Sequence, residues 1–202
     1  MKNKFHTGQI VEILIDLENE NVRIEKGSVC RVIKVDEVVG YVLVKNDFNI
    51  YAWVYETNIK PKIFRVFMGG TCQGFDWRNV LEDRFKDDKN VELYNPVVDD
   101  WTCDKVREEN EYKEIAEINL FVITPYMEGV YSIAEVVDLS NKKPENLVFA
   151  YIDHFVDGKE IRDFTSKMKH SLAVTAKLIT KNGGVVFTSL DDVEKYIRDF
   201  IK

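Results

Sequence analysis

Cysteine, proline and histidine are all scarce in this chain: 3 Cys, 4 Pro and 3 His in 202 residues. The thiols Cys30, Cys72 and Cys103 form no C-x-x-C pair and leave one over, so a disulfide framework is not indicated. His6, His154 and His170 stand singly, which suggests neither a zinc cluster nor a catalytic triad. No apolar run approaches the ~20 residues of a membrane span, and no leader pattern opens the chain. Free thiols without a leader set the expectation of a reducing, cytoplasmic location. Basic side chains are the minority, 28 Lys and Arg against 35 Asp and Glu, and the net charge of −7 argues against a dedicated nucleic-acid binder. Neither a G-x-G-x-x-G nor a Walker loop is present, so no nucleotide cofactor is signalled, and no cofactor or metal is expected.

A hydrophobic content of 45% is enough for a real core and speaks against disorder. Acidic charge is concentrated in residues 91–117, which hold nine carboxylates and three basic side chains. Such a run reads first as the solvated face of a helix.

Two periodicities divide the chain. Up to Pro61 it alternates with period two, in Gly8–Ile13, Lys26–Val35, Tyr41–Lys45 and Tyr51–Tyr55, with polar turns between. Short strands closing on Glu56–Pro61 resemble a small SH3-like barrel, expected over residues 1–61. From Lys62 to residue 202 the pattern becomes βα units. Strands are expected at Ile63–Met68, Val91–Asn95, Ile118–Ile123, Leu147–Tyr151 and Val185–Phe187. Helices fall between them, with Asp76 and Ser189 as caps and Gly183-Gly184 as a stop. The fold class is therefore α/β, a flavodoxin-like (Rossmann-like) five-stranded parallel sheet of order 2-1-3-4-5 behind an all-β domain.

In such a sheet the ligand crevice opens at the carboxyl ends of the first and third strands. Gly69-Gly70-Thr71 follows the first, and its glycines allow a close approach of backbone to ligand. Thr124-Pro125-Tyr126-Met127-Glu128-Gly129-Val130-Tyr131-Ser132 follows the third and leads to Glu135. Glu135 reads in two ways. It is a carboxylate aimed into the crevice, or the last member of an S-x-x-E capping box begun by Ser132. Trp101 and Tyr126, in loops, are candidates to stack on a base; Trp77 sits on an apolar helix stripe, and Arg78 is a candidate for a phosphate.

Phe67-Met68-Gly69-Gly70-Thr71, Asn95-Pro96-Val97-Val98-Asp99-Asp100-Trp101 and Gly129-Val130-Tyr131-Ser132-Ile133-Ala134-Glu135, in that order at three successive strand ends, resemble the nucleoside 2-deoxyribosyltransferase-like family. The likeness runs from about Ile63 to the C-terminus. It implies an N-glycosyl enzyme in which Glu135 attacks the anomeric carbon of a deoxyribose and Asp99 or Asp100 handles the proton of the base. It implies substrate contacts from Gly69, Gly70, Thr71, Asn95, Trp101, Thr124, Tyr126, Met127, Glu128, Gly129, Tyr131 and Ser132. It also implies a homo-oligomer that completes its pocket from a neighbouring subunit. The chain departs from the family pattern at Phe67, where a nucleophile-orienting tyrosine is usual, and in the spacing of Glu128.

Two functions stand at this point. One is base cleavage or exchange on a (deoxy)nucleoside or nucleotide, by a transferase or a hydrolase. The other is a catalytically silent nucleotide-binding or protein-interaction module, with a possible protein partner on the barrel.

Overall fold

The computed structural model describes residues 4–19, 22–36, 38–98, 100, 102–156 and 158–201. Two compact units emerge, one built from the N-terminal segment through Ile63 and the other from Phe64–Phe200.

The first unit contains strands β1 (Ile10–Ile13), β2 (Leu17–Asn19), β3 (Val22–Ile24), β4 (Val29–Asp36), β5 (Tyr41–Lys45), β6 (Tyr51–Tyr55) and β7 (Ile59–Pro61), with a 3-10 turn at Glu56–Asn58 before the last. Five of them form one antiparallel sheet in the order β6-β5-β4-β1-β7, and β2 and β3 make a separate hairpin. This is the small antiparallel arrangement that the period-two pattern predicts. The pairing of the long β4 with β5 shifts register between Val32 and Lys34, where a bulge lets the strand bend. Alternate residues Val11, Ile13, Cys30, Val32, Val42, Val44 and Val54 point inward and make the core.

Cys30 belongs to that core at 2% exposure, and burial, with Asp47 adding to it, pushes its thiol up to about 11. Cys72 and Cys103 are exposed. Since the thiolate is the nucleophile, iodoacetamide at pH 8 is expected to label Cys72 and Cys103 in the native protein and Cys30 only after unfolding. Peptide mass spectrometry of the alkylated protein checks this, and native labelling of Cys30 would contradict the packing just described.

The second unit alternates strand and helix: β8 (Phe64–Gly70), α1 (Trp77–Phe85), β9 (Val91–Tyr94), α2 (Cys103–Ile115), β10 (Ile118–Ile123), α3 (Tyr131–Lys142), β11 (Leu147–Tyr151), β12 (Phe155–Val156), β13 (Lys159–Glu160), α4 (Ser166–Asn182), β14 (Val185–Phe187) and α5 (Leu190–Phe200). The main sheet runs β14-β11-β10-β8-β9, all parallel, which is the expected order 2-1-3-4-5. A two-residue hairpin, β12 with β13, is an addition that the sequence pattern does not announce.

Helices cover both faces, and each strand supplies both cores. Val66 and Met68 of β8 pack with Trp77, Leu81 and Phe85 of α1 and with Leu190, Val193 and Ile197 of α5. Phe67 faces the other way, with Phe121, Phe149, Val136 of α3 and Leu172 and Ile179 of α4. All six residues of β10 are buried, as a central parallel strand requires. The caps are those the sequence suggests. Asp76 accepts from the Asn79 N–H at 3.2 Å, Ser189 accepts from the Asp192 N–H at 3.1 Å, and Gly183, at φ 106°, ends α4.

Candidate active site

At the carboxyl ends of β8 and β10, where the strand order reverses, lies a cavity of about 430 Å³. Its floor is Gly69 and Gly70, with Cys72 and Arg78 beyond; Pro96 and Val97 come from the segment after β9. One wall is a stripe of α2, Val106, Glu109, Asn110 and Lys113, spaced i, i+3, i+4, i+7. The opposite wall is the start of α3, with Tyr131, Ser132 and Glu135.

Glu135 serves no cap. Helix α3 begins after Val130, which makes no side-chain cap bond, so Ser132 lies inside the helix and the capping-box reading does not apply. Instead Glu135 Oε1 accepts from Lys113 Nζ at 2.5 Å, and the same ammonium reaches Glu109 Oε1 at 2.9 Å. The side chains of Lys113 and Glu135 are only 13% and 14% exposed. Burial raises the Glu135 carboxyl above its ordinary range, and the Glu109 charge adds to that, while Lys113 pulls the other way. For Lys113, burial acts to lower the ammonium, but its hydrogen bonds to Glu135 and Glu109 outweigh that and leave it raised.

Lys113 and Glu109 lie in the acidic run that reads as a solvated helix face, and most of that helix is indeed exposed. Asn119, the lone polar residue of β10, donates from Nδ2 to the Lys113 carbonyl at 3.1 Å and so ties the end of α2 to the sheet. The face of Phe67 lies 5.2 Å from Lys113 Nζ. Where a hydroxyl was absent from the sequence, an ammonium from α2 stands beside the carboxylate.

The other expected site residues divide. Gly69, Gly70, Tyr131 and Ser132 line the cavity with Glu135. Packing alone already requires both glycines. A Cβ on Gly69 would meet the Phe121 ring at 2.5 Å, and one on Gly70, at φ 115°, would meet the Val122 carbonyl oxygen at 2.1 Å.

Thr71 and Thr124 are buried and bound to each other, the Thr124 N–H donating to Thr71 Oγ1 at 3.0 Å, so they join the two loops and do not face the cavity. Tyr126 is turned away, packed on Gly74 and under the Arg162 guanidinium. Met127 packs into the α3–α4 side of the core, while Glu128 and Gly129 are exposed outside the cavity lining. Asn95 caps its own loop, accepting from the Val97 N–H at 3.1 Å, and Asp100 is exposed and absent from the lining. Asp99 and Trp101 lie outside the described residues.

Arg78 is 3% exposed, and its donors go to the carbonyls of Met68 (2.8 Å), Thr71 (2.8 Å) and Gly70 (3.4 Å). The Trp77 indole N–H joins it on the Thr71 carbonyl at 3.0 Å. Burial lowers the guanidinium from its usual value. Arg78 thus organises the Gly-Gly loop from beneath. Among the described residues, no group of three or more His, Cys, Asp or Glu side chains is placed to hold a metal ion. No helix among them is long and apolar enough to cross a membrane.

Comparison with known proteins adds three findings. No curated protein matches the chain. Among solved structures, the SH3 domain of yeast NBP2 matches at 22% identity over 27% of this chain and 97% of that one, with a TM-score of 0.23. A family model described as "Nucleoside 2-deoxyribosyltransferase like" matches residues 63–154, a span that holds β8 to β11 and the whole lining of the cavity. Over residues 63–154, then, this chain is similar to the nucleoside 2-deoxyribosyltransferase-like family.

Proposed function

We propose that the cavity binds a (deoxy)nucleoside or nucleotide and that Glu135 cleaves its N-glycosidic bond, passing the sugar to a second base or to water. The observation that carries this reading is the placement of Glu135. Its carboxylate is free of any capping duty and mostly buried, and it lies in the wall of a cavity at the strand-order switch point. A carboxylate nucleophile divides a difficult C–N displacement into two easier ones through a glycosyl ester. Val97, Val106 and the Tyr131 ring supply apolar surface against which a base can lie, and the floor backbone leaves room for the sugar. A second acid must protonate the departing base, and the loop that holds Asp99 and Asp100 is the source we assign to it.

Homo-oligomerisation belongs to the same proposal. Tyr131, 74% exposed, and Val97, 45% exposed, stand in the cavity lining, where a second copy would cover them.

The test is chromatography of a panel of deoxynucleosides, ribonucleosides and their 5′-phosphates incubated with the protein, with and without a free acceptor base. Release of free base alone is expected from a hydrolase, and a new nucleoside on adding acceptor from a transferase. The absence of both from every substrate would leave a binding module, which equilibrium dialysis against the same panel would detect.

A further inference from the structure

We propose that Lys113 is the positioning residue of this site: its ammonium, shared between Glu135 and Glu109, aims the Glu135 carboxylate, keeps it ionised for attack, and rests on Glu109 once Glu135 has become an ester. This deepens the reading of Glu135 as nucleophile and rests on it.

The geometry is built from three elements. Helix α2 supplies Lys113 and Glu109, α3 supplies Glu135, and β10 fixes the Lys113 backbone through Asn119. An ammonium has three N–H donors, and the two carboxylates at 2.5 and 2.9 Å engage two of them. The Phe67 ring, 5.2 Å away, closes another side with an apolar face.

The charges follow the reaction. Before attack the cluster holds one ammonium and two carboxylates. Glu135 then forms its C–O bond to the anomeric carbon, the electron pair of the broken C–N bond leaves with the base, and the base takes up a proton from the acid assigned to the loop of Asp99 and Asp100. The ester is neutral, and Lys113 keeps Glu109 as its counter-ion, so no unpaired charge is left in a mostly buried place. Attack by water, or by the nitrogen of a second base, at the same carbon returns the electron pair to Glu135, the nucleophile's proton goes back to the loop acid, and the original triad is restored.

Among the described residues, Glu135 makes no side-chain hydrogen bond or ion pair other than that to Lys113. On its own helix, Asp138 and Lys142 pair with each other at 2.8 Å. Lys143 pairs with Glu114 in an adjoining cleft of about 260 Å³, which shares Lys113 and Glu135 and gives water a route to the pair. Across the cavity Arg78 donates three hydrogen bonds to backbone carbonyls, and the Cys72 thiol donates to the Gly70 carbonyl. Lys113 is therefore the cation that governs this carboxylate.

The experiment uses protein labelled with ¹³C in its glutamate carboxyls, with the Glu135 resonance assigned by its loss in Glu135→Gln. It compares wild type with Lys113→Met and Lys113→Arg. In Lys113→Met, Glu135 is expected to titrate at higher pH than in wild type. Base release should fall by about tenfold or more, with the acid limb of its pH profile moved the same way. Lys113→Arg should return both toward wild type, and Lys113→Gln replaces the Met variant if that one does not fold. An unmoved Glu135 titration, or a loss of rate that is uniform across pH, would overturn the proposal. If wild type releases no base from any substrate, the nucleophile reading fails instead, and the NMR titration still decides whether Lys113 governs the ionisation of Glu135.

Discussion

Glu135→Gln is expected to keep the fold and to lower base release by about three orders of magnitude or more. Glutamine has the shape of glutamate but no anionic oxygen, so the carbon–oxygen bond of the glycosyl ester cannot form. The fold should survive because the substitution does not strand Lys113, which still has Glu109 at 2.9 Å. Nor does it remove a cap, since α3 uses none from this side chain. Glu135→Ala should lose as much rate and more stability, because it also opens space beside a mostly buried ammonium. Melting temperature and base release measured together on both variants separate the two effects. Release at the wild-type rate from Glu135→Gln would end the assignment of Glu135.

Much of this architecture is written in local patterns. Each central strand of the sheet is a short, mostly apolar run between polar segments, and β10 is the plainest, six buried residues of which only Asn119 is polar. The βα alternation then leaves the order 2-1-3-4-5 as the natural winding, and with it the place of the crevice. The hairpin of β12 and β13 escapes because two-residue strands have no period to read.

The site is legible where it lies on strand ends and illegible where it lies on α2. Glu135 stands out by following a strand and a glycine turn. Lys113 and Glu109 are hidden in a run of charges that looks like a solvated face. A signal was there: Val106, Glu109, Asn110 and Lys113 share one side of the helix, and the buried Asn119 just after it implies a polar partner nearby. Likewise Gly-Gly-Thr carries two meanings that sequence cannot separate. Its glycines look like room for a ligand, yet the missing Cβ atoms face Phe121, Phe67 and the backbone of β10, and its threonine bonds to the neighbouring loop.

That packing makes Gly70→Ala the substitution expected to cost the most stability, about 3 kcal/mol or more. Gly70 has φ 115°, a conformation that L side chains rarely adopt, and an added Cβ would lie 2.1 Å from the Val122 carbonyl oxygen and 2.8 Å from the Val122 nitrogen. Those atoms are backbone of the adjacent strand, so no rotamer change relieves the contact; β8 and β10 must separate. Gly70 pairs with Val122 at the very end of that ladder, and the next N–H, of Thr71, donates to the same Val122 oxygen at 2.9 Å. Separation there would shift Thr71, whose carbonyl holds Arg78 and Trp77, and with it the cavity floor. Base release should therefore fall even in the fraction that stays folded. Gly129→Ala is the control: its backbone is not in the left-handed region and nothing lies within 4 Å of the added methyl, so its stability should stay within about 0.5 kcal/mol of wild type. Urea unfolding of the two variants beside wild type decides the matter. A Gly70→Ala midpoint equal to that of Gly129→Ala would show that β8 and β10 do not approach as closely as their pairing at Gly70 and Val122 requires.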